Sequence, residues 1–326
     1  PQCLTGPIAR GDTGTISKHI EALQKAAPGL LSTYKELGLQ TIPQIQQGDN
    51  LAEVVLKACS EEVGGVEEKD IIVLTSKIVS KAQGRVRKLE EVTPGKRALD
   101  ISRHTGKDAK WLQMIFDEGH KIAAILPVKG VIEEHILNAA EDNQCARELC
   151  EHEQAVCITV GPNGAIHTCD AGIDGSNNPP GTVSLLPEDP DRAAREIREE
   201  IQKLTGKKVA VILADTEMVP FGTMDVAVGS SGIEPRTKMF GKIDNYGRPK
   251  FGGVDLTANE MCSAAALLFG QVNAGIPVAI IRGYEYQINE TENISNCLWP
   301  KAAPGAARKA IRQTIRATSY AFGPFK

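Results

Sequence analysis

At 326 residues the chain is long enough for one large or two ordinary domains. Hydrophobic residues make up 41% and aromatic residues only 4%, so its core must be built mainly from aliphatic side chains. A formal net charge of −4 leaves no basic excess to neutralise phosphates, which argues against nonspecific nucleic-acid binding, and no apolar run approaches the ~20 residues needed to span a bilayer.

In chain order, Ile16, Ile20, Leu23 and Ala27 stand at helical spacing before Pro28-Gly29 and predict an N-terminal helix. A second helix is expected over 50–62, with Asn50 as its N-cap and Leu51, Val54, Val55 and Ala58 on one stripe. Residues 70–86 read as a β-branched strand, a polar break at Ser76-Lys77, and a second strand. Alternation would then place Lys77 and Lys81 on one face of an extended segment. A helix over 107–119 turns Trp111, Leu112, Ile115 and Phe116 inward. Another over 188–204 has Pro190 in its first turn, Ala194, Ile197, Ile201 and Leu204 as its stripe, and Gly206 as its stop. Residues 209–214 form a buried strand that delivers Asp215 to its C-terminal end. An Ala-rich helix over 257–270, a strand over 276–281 and a basic C-terminal helix over 302–317 complete the set. Strands and helices mix irregularly, so an α+β fold of mixed sheets with flanking helices is expected rather than a doubly wound sheet.

The eight cysteines contain no Cys-x-x-Cys pair, and the spacings of Cys145, Cys150, Cys157 and Cys169 fit no common zinc module. Buried structural cysteines are the default expectation. The start of the chain lacks a basic region followed by an apolar one, so a cytoplasmic location is expected.

The chemistry concentrates in two places. Asp174 sits in a Gly-Ile-Asp-Gly-Ser-Asn turn, and Asp215-Thr216 follows an apolar run. Such residues serve equally as backbone caps or as a hard-oxygen site for Mg²⁺ or Mn²⁺. Lys77 and Lys81, with Ser76 and Ser80 beside them, could hold a polyphosphate or form a solvated face.

A set of runs resolves these alternatives: Ile42-Pro-Gln-Ile-Gln-Gln-Gly-Asp-Asn-Leu-Ala52, Thr75-Ser-Lys-Ile-Val-Ser-Lys-Ala82, Ala171-Gly-Ile-Asp-Gly-Ser-Asn177 and Leu185-Leu-Pro-Glu-Asp-Pro-Asp191. Asp215-Thr216, Asp225-Val-Ala-Val-Gly229, Asp244-Asn-Tyr-Gly-Arg248 and Gly275-Ile-Pro-Val-Ala-Ile-Ile-Arg-Gly283 follow in order. Together they resemble the coenzyme F420-0:γ-glutamyl ligases from about residue 38 to about 285. The resemblance implies that family's α+β fold and an intertwined homodimer. It implies a nucleotide-dependent ligase that activates a carboxylate as an acyl phosphate and joins it to an amine, with GTP (or ATP) as co-substrate. Two divalent ions, Mg²⁺ or Mn²⁺, are implied, with K⁺ a candidate monovalent ion. Asp174, Asp215, Thr216 and Gln271 become candidate metal ligands, and Asp174, Asp215 and Lys77 candidate catalytic residues. Ile42, Pro43, Gln44, Ile45, Ser76, Lys77, Lys81, Asn177 and the run Phe269, Gly270, Gln271, Val272, Asn273, Ala274, Gly275, Ile276 become candidate nucleotide contacts. The implied partners are L-glutamate or another amine and a small carboxylic acid, most readily coenzyme F420-0, with neither nucleic acid nor membrane.

On this reading residues 1–36 are an N-terminal extension, 37–290 the catalytic domain with an insertion at about 134–163, and 291–326 a C-terminal helical segment. Three departures from the family pattern lie near the site. The arginines expected after Asp-Thr are absent from Glu217-Met-Val-Pro-Phe-Gly222, Asp170 stands where Asn is usual, and Gln271 stands where a carboxylate is expected. These changes favour a smaller or more hydrophobic acid as the alternative acceptor, with Glu217 orienting the amine. A nucleotide-binding dimer without turnover is the remaining alternative.

Overall fold

In the computed structural model, residues 45–127, 155–219, 222–270 and 275–297 are described. The helices expected over 16–27 and 302–317 lie outside them. The elements run α1 (Leu51–Val63), β1 (Ile71–Thr75), α2 (Ser76–Ala82), β2 (Val86–Lys88), α3 (Lys96–Thr105), α4 (Ala109–Asp117) and β3 (Lys121–Pro127). They continue with β4 (Ala155–Val160), β5 (Ile166–His167), β6 (Thr182–Ser184), α5 (Pro190–Thr205), β7 (Ala210–Val219), β8 (Gly222–Ile233), α6 (Thr257–Phe269), β9 (Val278–Ile281), β10 (Ile288–Asn289) and α7 (Ile294–Cys297). The fold is mixed α+β.

The central sheet has the order β10-β8-β7-β1-β9. Its two middle strands, β1 and β7, are parallel, with Thr75 opposite Ala214, while the other pairings are antiparallel. Both faces are covered, which is why β1 and the first half of β7 read as unbroken apolar runs. Ile72, Leu74, Val211 and Leu213 face α1, α2 and α5, whereas Ile71, Val73, Ile212 and Ala214 face α6. Each such side chain, fully withdrawn from water, contributes about 1.5–3 kcal/mol. A third core joins α3 and α4 to β4 and β6, around Leu112, Ile115, Cys157 and Val183.

Local chemistry sets the helix ends. Asn50 accepts hydrogen bonds from Ala52 N–H and Glu53 N–H at the start of α1. Asp189 caps α5 ahead of Pro190, and Gly206, at φ 73°, ends it in the left-handed conformation that a glycine adopts without strain. Leu204 lies outside the stripe of α5, 47% exposed, and Ala193 is buried in its stead.

Four expectations are corrected. Residues 76–82 are a helical turn pair and not a continuing strand, because Ile78, Val79 and Ala82 pack at helical spacing onto the sheet and Ser80 Oγ bonds back to Ser76 O at 3.1 Å. The strand carrying Asp215 runs on to Val219, since Asp215 through Val219 keep pairing with β8. The helix expected over 107–119 begins only at Ala109, with Asp108 as its cap. Residues 155–160, placed in the expected insertion, form the middle strand of a three-stranded sheet; 134–154 lie outside the described residues. The α3 helix was not anticipated at all. Cys59, Cys157 and Cys262 are buried free thiols, and no helix among the described residues is long and apolar enough to cross a membrane.

Candidate active site at the carboxyl ends of the parallel strands

The two parallel strands end side by side, and the candidate residues gather there. Alternation along β7 sends Val211, Leu213, Asp215 and Glu217 to the face covered by α2. Ser76, the first residue of α2, donates from Oγ to Asp215 Oδ1 at 2.7 Å. The next residue, Lys77, donates from Nζ to Asp174 Oδ2 at 2.5 Å, to Ser176 Oγ at 2.7 Å and to Ser176 O at 2.9 Å. Consecutive residues of one helix therefore hold the two carboxylates. Lys81, one helical turn on, donates to Asn177 O at 2.6 Å. Lys77 and Lys81 thus share a face, as expected, but by helical spacing and not by strand alternation.

The Asp174 loop is tied down independently. Asp174 and Ser184 exchange backbone hydrogen bonds of 2.9 and 3.0 Å, and Asn178 Nδ2 donates to Asp174 O at 3.0 Å. The same loop crosses Asp215 at Gly172, at φ 69°, where an added Cβ would lie 3.0 Å from Asp215 Oδ2 and 2.5 Å from Leu186 Cγ. The close approach requires glycine.

Burial pushes the Asp215 carboxyl up to about 7; the Ser76 hydrogen bond and His167 oppose this, and the Glu217 and Asp174 charges add to it. Burial, with Lys77 next, holds the Lys81 ammonium below its usual range. Asp215 is a desolvated carboxylate with one neutral donor, an electrostatic position that a bound cation would satisfy. The nearby donors are hard oxygens, which suits Mg²⁺ or Mn²⁺. Among the described residues no group of three or more His, Cys, Asp or Glu is disposed to hold a metal, so an ion here would need further oxygens from phosphate or water.

The remaining candidates fall in different places. Thr216 lies on the opposite face of β7, its hydroxyl donating to Asp225 Oδ1 at 2.8 Å. Any share it has in a cation beside Asp215 falls to its main chain. Ile45 is buried against α2, with Gly48 N–H bonded to Ala82 O at 2.9 Å. Gly275 and Ile276 lead to Pro277, whose carbonyl accepts from Thr75 N–H at 2.9 Å just before Ser76. Phe269 is buried under α6 and Gly270 caps that helix. Ile42, Pro43, Gln44, Gln271, Val272, Asn273 and Ala274 lie outside the described residues.

Two departures read from the sequence have other roles. Asp170 does not face an acceptor; it is buried, accepting from Lys107 Nζ at 2.7 Å and Cys157 N–H at 2.9 Å. Glu217 has internal partners as well. It is buried, with His167 Nδ1 at 2.8 Å and with Thr168 donating from N–H at 2.5 Å and Oγ1 at 2.7 Å. Sequence reading placed His167 only beside the cysteine cluster and passed over His120; the two rings stand 5.4 Å apart.

The sequence profile of the F420-0:γ-glutamyl ligase family matches residues 40–283, and residues 1–41 match a domain of unknown function (DUF2520). The chain is 31% identical to the coenzyme F420:L-glutamate ligase of Methanosarcina mazei over 82% of its own length and 93% of the relative's. The enzyme of that name from Methanothermobacter thermautotrophicus is 34% identical over 77% and 89%, and that of Archaeoglobus fulgidus 32% over 80% and 96%. With the family profile spanning Ser76, Lys77, Asp174 and Asp215 alike, the chain belongs to the F420-0:γ-glutamyl ligase family.

Proposed function

We propose that this protein is a nucleotide-dependent amide ligase that adds L-glutamate to the side-chain carboxylate of coenzyme F420-0. The relatives' names supply the substrates, and one observation supports the chemistry. Asp215 is a half-buried carboxylate, held by Ser76 next to the Lys77–Asp174 pair and with no cationic partner among the described residues.

A carboxylate is a poor partner for an amine, so it must first be activated. The terminal phosphoryl group of GTP or ATP passes to the acid and forms an acyl phosphate, and the nucleoside diphosphate leaves. The amine then attacks the carbonyl carbon and phosphate departs. Both substrates of the first half are anionic and repel. Divalent ions, when bound, would lower that repulsion and polarise the phosphoryl oxygens. Asp174 and Asp215 would hold them, with the Thr216 main chain and Gln271 as further oxygen donors. Lys77 and Lys81 would meet phosphate oxygens, and Ser76 keeps Asp215 oriented. Ile45, Asn177, Gly275 and Ile276 border the place left for the nucleotide. The enzyme would work as a homodimer; Phe240, Ile243, Tyr246 and Phe251, all largely exposed in one chain, offer an apolar surface to a second copy.

A second reading keeps the reaction and changes the acid. The stretch after Thr216 carries no arginine, and its one charge, Glu217, is used internally. A smaller, less charged acid would suit that environment.

Incubation with F420-0, L-glutamate, GTP and Mg²⁺, followed by mass spectrometry, tests the main reading. One glutamyl addition per phosphate released is expected. Absence of product with F420-0, together with turnover of small aliphatic acids, would transfer the assignment to the second reading; no turnover of either would overturn both.

A further inference from the structure

Beside Glu217, two residues beyond Asp215 on β7, lies a cavity of about 580 Å³ that the activation chemistry leaves without a role. Leu186, which packs over Gly172 opposite Asp215, lines one end of it, and His167, His120 and Glu217 line its wall. Its volume is within the range of small-molecule sites. Arg85, which pairs with Glu118 and donates to Leu186 O, borders it with Asp117, Glu118 and Glu188, an acidic excess suited to the ammonium end of an incoming amine.

His167 is 93% buried and belongs to β5, paired through Thr159 to β4. Its Nδ1 faces Glu217 Oε1 at 2.8 Å, while Thr168 occupies Glu217 Oε2 with two donors. The carboxylate oxygen acts as acceptor, so these partners assign the ring proton to Nδ1 and the lone pair to Nε2. Among the described residues no hydrogen bond to Nε2 is made, and the ring lines the cavity. A buried ring nitrogen with its lone pair available and its other nitrogen held by a carboxylate is the arrangement of an oriented general base. His120 complements it. Burial and the nearby His167 hold His120 down to about 4, leaving it neutral, with Nδ1 3.2 Å from Thr159 Oγ1.

We propose that this cavity receives the attacking amino acid and that His167 Nε2, oriented by Glu217, takes up the proton its amine releases. The inference rests on the acyl-phosphate reading above. In the step, the amine nitrogen bonds to the carbonyl carbon and the bond from that carbon to the phosphate oxygen breaks. One proton of the ammonium passes to Nε2 to free the attacking amine, and the second N–H proton leaves with the inorganic phosphate, which departs with the electron pair. Glu217 acts through His167 as a positioning residue, placed there by the pairing of β7 with β8 beyond Asp215.

Hydroxylamine separates the two halves of the reaction, because it is unprotonated at neutral pH and captures an acyl phosphate with little need of a base. Wild type and His167→Asn are compared with F420-0, GTP and Mg²⁺, with either L-glutamate or hydroxylamine as nucleophile. Asn can still donate to Glu217 but lacks the basic nitrogen. Glutamyl transfer should fall by about a hundredfold or more, the usual contribution of a general base, while hydroxamate formation stays within about threefold. Should His167→Asn fail to fold, Glu217→Gln, which disturbs the Nδ1 contact, should give the same split in milder form. Undiminished glutamyl transfer, or an equal loss with both nucleophiles, would overturn the role of His167. A wild-type enzyme that forms no hydroxamate would instead sink the acyl-phosphate reading, and this inference with it.

Discussion

Asp170 and Asp215 are close neighbours with opposite surroundings. Asp170 is buried with Lys107, whose side chain is 1% exposed, and the two charges cancel at 2.7 Å. Asp215 is half-buried between Ser76 and Gly172, and among the described residues no cationic side chain pairs with it. A buried carboxylate without a cation is costly, so the protein keeps such a group only where something else supplies the charge. The comparison sets a carboxylate paired inside the fold beside one that we propose serves the site.

The largest effect that would sharpen this contrast is on activity. Asp215→Asn should lower kcat by about a thousandfold or more, as expected when charge stabilisation of a phosphoryl transfer is removed. Its melting temperature should not fall, because an amide is easier to bury than an uncompensated carboxylate. A melting temperature several degrees below wild type would break the contrast.

Lys107→Ala should do the reverse. Removing one partner from a buried pair costs about 3–5 kcal/mol, so chemical denaturation should show a loss of that size. Because Asp170 anchors the turn leading to Asp174, activity would decline only in step with the folded fraction. The double variant Lys107→Met with Asp170→Asn should recover a large part of the stability.

Lys77→Ala comes next. A direct charge-assisted contact to phosphate contributes about 1.5–3 kcal/mol, so nucleotide affinity should drop by about one to two decades, measured by calorimetry. Unchanged affinity would return Lys77 to a purely structural partner of Asp174.

The smallest effect is one of pH. The Asp215 carboxyl titrates near 7 in the folded protein and near the usual carboxylate value when unfolded. The native state then binds the extra proton, so without added metal this residue's contribution to stability is present below about pH 4 and is lost as pH rises towards 7. Asp215→Asn should remove that slope from denaturation curves recorded between those limits.

Much of this was legible beforehand, and the reason varies by element. The α5 helix announced itself through Asp189-Pro190, a buried stripe and Gly206, all local signals. Ser76, Lys77, Asp174 and Asp215 were legible because runs around them carry a family pattern. Short α2 was misread because Ile71 through Thr75 and Ile78-Val79 share β-branched character, and seven residues give too little period to distinguish helix from strand. The α3 helix escaped notice since it buries only Ala98 completely. The pairs Lys107–Asp170 and His167–Glu217 span 63 and 50 residues, and no local rule reports a contact made by tertiary packing. Thr216 was assigned with Asp215 from the family resemblance, which does not tell that its hydroxyl faces Asp225 on the other side of β7.

The proposal that Asp215 holds a divalent cation is tested most directly by Mn²⁺ binding, followed by electron paramagnetic resonance with a non-hydrolysable GTP analogue. Wild type should bind Mn²⁺ about tenfold more tightly at pH 8 than at pH 6, since protons compete for a carboxylate titrating near 7, and Asp215→Asn should lose both the affinity and its pH dependence. Equal Mn²⁺ affinity in wild type and Asp215→Asn at pH 8 would contradict the account.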